Sequence, residues 1–506
     1  MAHLAIAVGG DGRVSAQTAE PQTNSAVSAY EAVIGLEVHA QLLTRSKMFC
    51  ACSAEYIGKP ANSNTCPVCL GLPGVLPVIN RQAVEYTVLT ALALNCEIPE
   101  FTKFDRKNYF YPDLPKGYQI SQYDMPLSRN GWLEFEVEGA PVRCGITRVH
   151  LEEDTGTLHH AGDVLQSARS SLVDLNRAGV PLMEIVGEPD LRSAEAAREY
   201  LVRLRQILMY IGVNDGNLEQ GSFRCDANVS LRVRGSDALG TKVEIKNMNS
   251  FRAVHRALQY EIERQAAVLA GGGTLVQETR GWVEARGATV SQRSKEYAHD
   301  YRYFPEPDLP PLALDSAYTE RVRRTMPELP AARAQRLQEK FGLSAYDAAV
   351  LTAAREDADA YEALASQVPA KLAANWLMGD VAALANERRV ALHRSGLGVD
   401  GLAALLRLLD AGTINGPTAK ALLEELYESG GDPAAVVQER GLGQLDDEAA
   451  LLAIVDEVIA ANAAAAADFR AGKEAALGRL VGQVMKATGG KAQPQLVNRL
   501  LRERLA

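Results

Sequence analysis

The segment Ser222–Arg234 constrains the fold more than any other. Phe223, Cys225, Ala227, Val229, Leu231 and Val233 alternate strictly with Arg224, Asp226, Asn228, Ser230, Arg232 and Arg234. Successive side chains of an extended strand point to opposite faces, so this pattern sorts onto an apolar and a polar side only as a strand. Three further segments behave alike. In Val33–Leu42, Ile34, Leu36, Val38, Ala40 and Leu42 oppose Gly35, Glu37, His39 and Gln41. In Thr147–Thr155, Val149 and Leu151 oppose Arg148, His150, Glu152 and Asp154. In Lys242–Lys246, Val243 and Ile245 oppose Lys242, Glu244 and Lys246. The chain must therefore build a sheet with one apolar and one polar face.

A polar face can be no more than the wet side of an antiparallel sheet. These faces, however, repeatedly combine carboxylates with His, Asn or Arg, and adjoining turns add Glu184, Glu188 and Asp190. Clustered carboxylates repel unless a positive charge sits among them. Mg²⁺ supplies that charge and takes oxygen ligands, and it points to nucleotide phosphates and phosphoryl transfer. No Walker loop, kinase glycine loop or dinucleotide fingerprint is present, so Lys and Arg of the same sheet are expected to meet the phosphates.

The chain has 506 residues, too many for one core, and its formal net charge of −10 excludes a general nucleic-acid coat. No apolar run reaches the roughly 18 residues of a membrane span. Residues 1–29 are small and polar and are expected to be a disordered extension, unlike a signal or transit peptide.

Four of the seven cysteines fall in two pairs, Cys50-Ala51-Cys52 and Cys66-Pro67-Val68-Cys69. Thiolates so spaced on tight turns can each fill two corners of the tetrahedron that Zn²⁺ accepts, and four of them leave no open position for catalysis. A structural zinc in a reducing cytosol is expected, rather than a redox pair or four buried thiols.

Three zones follow one another. Glycine, β-branched residues and turn signals dominate from Tyr30 to Tyr303. Phe304–Leu312, with prolines at 305, 307, 310 and 311, reads as a linker, and Ala and Leu at helical spacing follow almost to Ala506, with a break near Ala411–Gly416. Within the first zone Ser193 opens a helix over Ala194–Ile211, and a second begins after Asn249–Ser250 and ends at Gly271–Gly273. Arg129-Asn130-Gly131 is a hairpin-turn signal. The fold expected is α+β: a mostly antiparallel sheet followed by all-α regions.

The longer motifs carry a resemblance. Tyr30–His39, Asn64–Gly74, Lys103–Asp113, His150–Gly156, Asp174–Arg177, Leu182–Val186, Arg224–Asn228, Glu244–Ser250 and Asp300–Asp308 resemble, in this order, the B subunits of the tRNA-dependent aspartyl/glutamyl amidotransferases (the GatB/GatE family). The likeness runs over about residues 30–504. The chain has no room for the synthetase-like insertion of the archaeal E subunits, so it is similar to the bacterial type.

The resemblance implies a cradle domain over 30–303, a helical domain over 313–410 and a tail similar to the YqeY family over 411–506. It implies two protein partners, an amidase that releases ammonia from glutamine and a small third chain, together making a heterotrimer. It also implies tRNA(Gln) or tRNA(Asn) mischarged with Glu or Asp. ATP would phosphorylate the side-chain carboxylate, and ammonia would displace the phosphate. A cytoplasmic ligase of protein biosynthesis is expected. His39, Glu152 and Glu184 would hold Mg²⁺, with Glu37, Asp226 and Glu244 beside it. Arg224 and Lys246 would meet phosphate oxygens, and Lys107 would stand at the ammonia path unless it pairs with Asp105. Gln220 stands where the family has Glu and is left outside the metal set.

From Arg470 onward eight Lys or Arg face two acidic residues. Arg479, Lys486 and Lys491 lie in stretches similar to the family's tail signature and are expected to touch tRNA phosphates, with salt-sensitive binding. The competing reading is a tRNA-binding module without catalysis, whose polar face is merely wet. Nucleotide binding that depends on Mg²⁺ separates the two.

Overall fold

The computed structural model describes residues 28–160, 170–294, 301–443 and 448–506, so the expected extension lies almost wholly outside the described residues. Two compact units divide between Leu329 and Pro330.

The first unit is built on an eight-stranded sheet. Its strands are β1 (Tyr30–Gln41), β5 (Ser128–Val137), β6 (Ala140–Glu153), β9 (Pro181–Gly187), β10 (Phe223–Val233), β11 (Val243–Lys246), β12 (Glu278–Val283) and β13 (Ala288–Ser294). The order is β13-β12-β11-β10-β1-β9-β6-β5, antiparallel except for β11 and β12. A three-stranded sheet orders β14 (Phe304–Pro305), β3 (Asp105–Asn108) and β4 (Tyr118–Ser121). Small pairs join β2 (Phe101–Thr102) to β15 (Leu312–Ala313) and β7 (Thr157–His160) to β8 (Ser171–Asp174).

The apolar face expected from alternation is the core. Ile34, Val38, Val149, Leu151, Ala227 and Val229 are fully buried with Leu201, Leu204, Val254 and Leu258 of the helices Ala194–Tyr210 and Phe251–Ala270. Both helices begin as their sequences dictate. The Ser193 and Ser250 hydroxyls accept from the amides of Ala196 and Ala253, satisfying donors that a helix leaves free at its start. At about 25 cal/mol per Å² of apolar surface removed from water, each buried Leu or Ile here contributes roughly 1.5–3 kcal/mol.

Several expectations need correction. Arg129-Asn130-Gly131 lies inside β5, with Gly131 paired to Ile146; the turn to β6 is Glu138-Gly139, both at positive φ. Asn130 also has positive φ, but its side chain reaches Glu97. A Cβ on Gly131 would stand 2.2 Å from Cys96 Sγ, so that glycine answers a close approach rather than a turn. Glu184 sits within strand β9, not in a turn.

The proline-rich segment is no free linker. Phe304 and Pro305 pair with Arg106 and Asp105, Leu312 pairs with Thr102, and Glu306 is buried in a bidentate pair with Arg106 at 2.7 and 2.9 Å. Prolines suit such short edge strands, where the missing N–H is not needed.

The second unit is helical. One core gathers Leu337 to Val437 and another gathers Leu451 to Leu505. The turn at Ala411–Asn415 joins two helices of one core, because Ile414 is 1% exposed and Asn415 caps the next helix by accepting from the Thr418 amide. The two cores therefore part after Val437, later than the expected break.

Candidate active site and zinc knuckle

Register turns the alternating strands into a grid. His39 of β1 faces Glu184 of β9 on one side and Arg224 of β10 on the other, and Glu184 faces His150 of β6. The next row pairs Glu37 with Asp226, and the one after pairs Gly35 with Asn228 and Asn228 with Glu244. Strand β9 inserts between β1 and β6, which alternation alone does not reveal.

The face is not wet where it matters. Glu152, His150, Asp154 and Glu184 are 2%, 3%, 4% and 8% exposed. The small sheet helps to close this end: Ser121 Oγ donates to Glu152 Oε2 at 3.1 Å, and Gln119 donates to the Glu153 carbonyl at 2.7 Å.

His39, Glu152 and Glu184 converge, with ligand atoms within 4.8 Å of one another. His39 Nε2 stands 3.9 Å from Glu152 Oε1 and 3.7 Å from Glu184 Oε2, too far for hydrogen bonds. Neighbouring and opposite ligands of an octahedral ion with bonds of about 2.1 Å stand about 3.0 and 4.2 Å apart; the observed separations of 3.7 and 3.9 Å fall between these, and the two carboxylates supply the oxygen donors that Mg²⁺ takes. His150 Nε2 lies 3.2 Å from Glu184 Oε2 and orients that carboxylate from behind. Burial alone would raise the Glu184 pKa; the charges of His150, His39 and Lys107 outweigh it and hold the carboxyl well below the usual range.

Lys107 of β3 does not pair with Asp105, which is taken by Lys103 and the Tyr123 amide. Its ammonium lies 5.0 Å from the Tyr301 ring centroid and 6.0 Å from that of Tyr109. Burial disfavours its charge, but Glu152, the Tyr303 hydroxyl and Glu184 push its pKa up to about 12. Lys107 therefore keeps its positive charge in the field of Glu152 and Glu184.

The other expected cations are partnered. Arg224 meets Asp154 Oδ2 at 3.0 Å; Lys246 meets Asp226 and, at 3.4 Å, Glu244 Oε1. Glu244 also accepts from Thr279 at 2.7 Å, and Glu37 from Asn228 at 2.9 Å. Glu37, Asp226 and Glu244 thus form a separate, hydrogen-bonded patch along the face.

Sequence reading missed the roles of His150 and Asp154, though it put both on the polar face. Asp154 is the hub that holds Arg224, Gln41 at 2.8 Å and Arg177 at 3.8 Å. Ser121 carried no local signal, and Tyr301 and Tyr303 none beyond their place in the Asp300–Asp308 motif, because only tertiary folding brings these segments here.

The four knuckle cysteines also converge. Cys66 Sγ and Cys69 Sγ are 3.7 Å apart, close to the roughly 3.8 Å edge of a tetrahedron with bonds of about 2.3 Å, so the thiols fit zinc. The Cys66 amide donates to Cys69 Sγ at 3.0 Å. A hydrogen bond from Cys50 chiefly, with Lys47 nearby, holds the Cys69 thiol down at about 4, and burial pushes Cys52 up to about 11. Four thiolates on one Zn²⁺ leave negative charge, and the buried Lys47 offsets it. The knuckle braces the site through Asn64, whose amide donates to Asn176 Oδ1 at 2.8 Å. Beyond Asn176, the Val180 carbonyl accepts from the Asp154 amide at 2.8 Å.

In the tail, Lys473, Arg499, Arg502 and Arg504 pair with Asp468, Glu448, Glu474 and Asp456. Arg479 and Lys486, two turns apart on the helix Ala475–Ala487, are exposed and form no ion pair among the described residues. Lys491 donates to the Gly441 carbonyl at 2.6 Å. No single described helix is long and apolar enough to cross a membrane.

Comparison with known proteins agrees with this architecture. The family described as the GatB/GatE catalytic domain matches residues 32–320, and the GatB domain matches 359–505. The B subunit of the aspartyl/glutamyl-tRNA(Asn/Gln) amidotransferase of Moorella thermoacetica is 59% identical over 477 residues, covering 94% of this chain and 100% of its own. Its namesake from Carboxydothermus hydrogenoformans is 55% identical over 478 residues, covering 94% and 99%. These matches put the chain in the class of carbon–nitrogen ligase subunits. It belongs to the GatB/GatE family.

Proposed function

We propose that the chain activates the side-chain carboxylate of Glu esterified to tRNA(Gln), or Asp esterified to tRNA(Asn), at the expense of ATP. The observation that carries this reading is the convergence of His39 with the buried Glu152 and Glu184, in whose field Lys107 stays charged. The family supplies the tRNA and amide chemistry.

A carboxylate is a poor acyl donor because its leaving group would be oxide; an acyl phosphate leaves as phosphate. In the first step a side-chain oxygen attacks the γ-phosphorus of ATP, the bond to the β-bridging oxygen breaks, and ADP departs. In the second, ammonia attacks the acyl carbon, phosphate leaves, and the nitrogen gives up a proton to yield the amide. Mg²⁺ bound by His39, Glu152 and Glu184 would neutralise charge on the phosphate oxygens.

The chain's own groups do the positioning. Lys107 adds a permanent positive charge where the two anionic reactants meet. Tyr109, Tyr301 and Tyr303 wall the space around it, and a water-poor wall preserves ammonia in its unprotonated form. Arg224 and Lys246 keep further N–H groups for phosphate oxygens beyond those spent on Asp154 and Asp226. Glu37, Asp226 and Glu244 fix the row beside them. The knuckle acts as a staple, holding zinc away from the chemistry.

The ammonia comes from a partner amidase, with a small third chain completing a heterotrimer, and Arg479, Lys486 and Lys491 of the YqeY-like tail meet the tRNA backbone. The test uses the assembled complex: ATP hydrolysis stimulated by Glu-tRNA(Gln) or Asp-tRNA(Asn), followed by amidation. Activity that survives both Glu152→Gln and Glu184→Gln overturns the site. Binding of tRNA without any Mg²⁺-dependent nucleotide binding favours a non-catalytic tRNA module instead.

A further inference from the structure

The positive charges of this sheet face are spoken for, with one exception among the residues nearest the site. Arg224 has Asp154 and Lys246 has Asp226 and Glu244, while Lys107 belongs to β3 of the small sheet and packs 5.0 Å from the Tyr301 ring centroid. Arg148 stands on the same face, two residues before His150 on β6. It forms no hydrogen bond or ion pair with any described residue, and its Nε is buried without a partner.

Its neighbours explain why. Across β9 it faces Val186, which accepts nothing. Across β5 it faces Arg129, another cation, whose nearest carboxylate is Glu97 at 4.0 Å. The cross-strand neighbours of the half-exposed Arg148 are therefore an apolar side chain and a like charge. A buried donor left unmet is costly, so the unpartnered Nε of Arg148 calls for an acceptor from outside the chain. His150 points the same way: it orients Glu184 through Nε2, while its Nδ1 is buried and unpartnered. Two residues that each carry a buried, unpartnered nitrogen thus stand two positions apart on β6, and His150 faces Glu184 across β9.

We propose that Arg148 is a phosphate-binding residue of this site, resting on the function proposed above. A guanidinium matches phosphate oxygens in a two-pronged arrangement that an ammonium cannot reproduce. Two phosphates are available to it: the triphosphate of ATP and the phosphodiester near the 3′ end of the charged tRNA. Arg148 acts here as a positioning residue, gripping phosphate beside the reacting group rather than joining in bond making.

The experiment uses the full heterotrimer with Arg148→Gln and Arg148→Lys, and measures KM for ATP and for Glu-tRNA(Gln) separately, together with kcat. Arg148→Gln is expected to raise one KM by about tenfold or more, with a smaller change in kcat. A rise for ATP identifies the triphosphate; a rise for the tRNA identifies the phosphodiester. Arg148→Lys is expected to recover only part of the loss. Unchanged KM values for both substrates overturn the proposal. If Arg148→Gln lowers Tm, Arg148→Met, which keeps the apolar stem, is measured in its place and read by the same KM criterion. Glu184→Gln in the same preparation separates the two failures. If it abolishes ATP hydrolysis while Arg148 variants change nothing, only this proposal falls. If Glu184→Gln is also silent, the site itself is misplaced.

Discussion

His150 Nε2 stands 3.2 Å from Glu184 Oε2, and the two residues face each other across β6 and β9. One histidine thus sets the carboxylate from behind while another, His39, faces the same oxygen from β1 at 3.7 Å. Replacing His150 by Phe is expected to keep the strand pairing but free Glu184 to rotate. Mg²⁺ affinity, read by titration calorimetry with ATP present, should fall about 10- to 100-fold. An unchanged affinity would show that Glu184 needs no such support.

The carboxylates themselves should matter more. Glu152→Gln and Glu184→Gln each keep shape and remove charge. Each is expected to lower tRNA-stimulated ATP hydrolysis by about 10²-fold or more, because the charges meant to hold the cation vanish. Glutaminase activity of the partner amidase serves as the internal control and should persist.

The knuckle gives a prediction at a distance. Metal analysis should return one zinc per chain, and Cys66→Ser should lose it. Since Asn64, within the knuckle, donates to Asn176 at 2.8 Å, the loss should loosen the stretch from Asn176 to Val180 that bonds Asp154, and slow phosphorylation while KM for glutamine stays constant. Full activity in a zinc-free variant would mean that the knuckle supports nothing here.

The tail makes a quantitative claim about salt. Arg479→Ala and Lys486→Ala should each weaken tRNA binding and reduce the slope of log affinity against log salt by about one. ATP hydrolysis without tRNA should not change. Filter binding at several salt concentrations measures both.

Acid stability tests the helical unit. Glu362 accepts from Arg336 and Arg333 at 2.8 Å, and these bonds hold its pKa down to about 2. A depressed carboxylate stabilises the fold fully above its unfolded value of about 4.5 and loses that contribution as pH falls toward about 2. Glu362 is partly exposed, so screening reduces the effect to about 1 kcal/mol. Thermal melts at neutral pH and at about pH 2.5 should show Glu362→Gln closing most of its gap from the unaltered chain.

Much of this was legible in the sequence because alternation and helix caps are local. The two faces of β1, β6 and β10 and the starts at Ser193 and Ser250 follow from neighbouring residues alone. The cysteine pairs and the residues of the metal triangle were legible through spacing and family likeness. What escaped depended on which strand lies beside which. Nothing near Glu184 announces that β9 inserts between β1 and β6, and nothing near Ser121 announces that it will meet Glu152. Asn130-Gly131 misled because a positive φ and a small residue serve a close approach as well as a turn. The prolines of Phe304–Leu312 misled because proline is equally at home in a linker and on a sheet edge.

The insertion of β9 has a consequence for how the molecule is made. Its neighbours, β1 and β6, come from opposite ends of a long stretch of chain, and neither can pair with the other once β9 lies between them. Closing such loops is slow, and until β9 arrives both flanking strands show unpaired edges that can recruit another chain. The metal triangle draws one residue from each of the three strands, so it exists only after this closure. Before that closure the three side chains cannot meet, and the exposed edges leave aggregation to compete with folding.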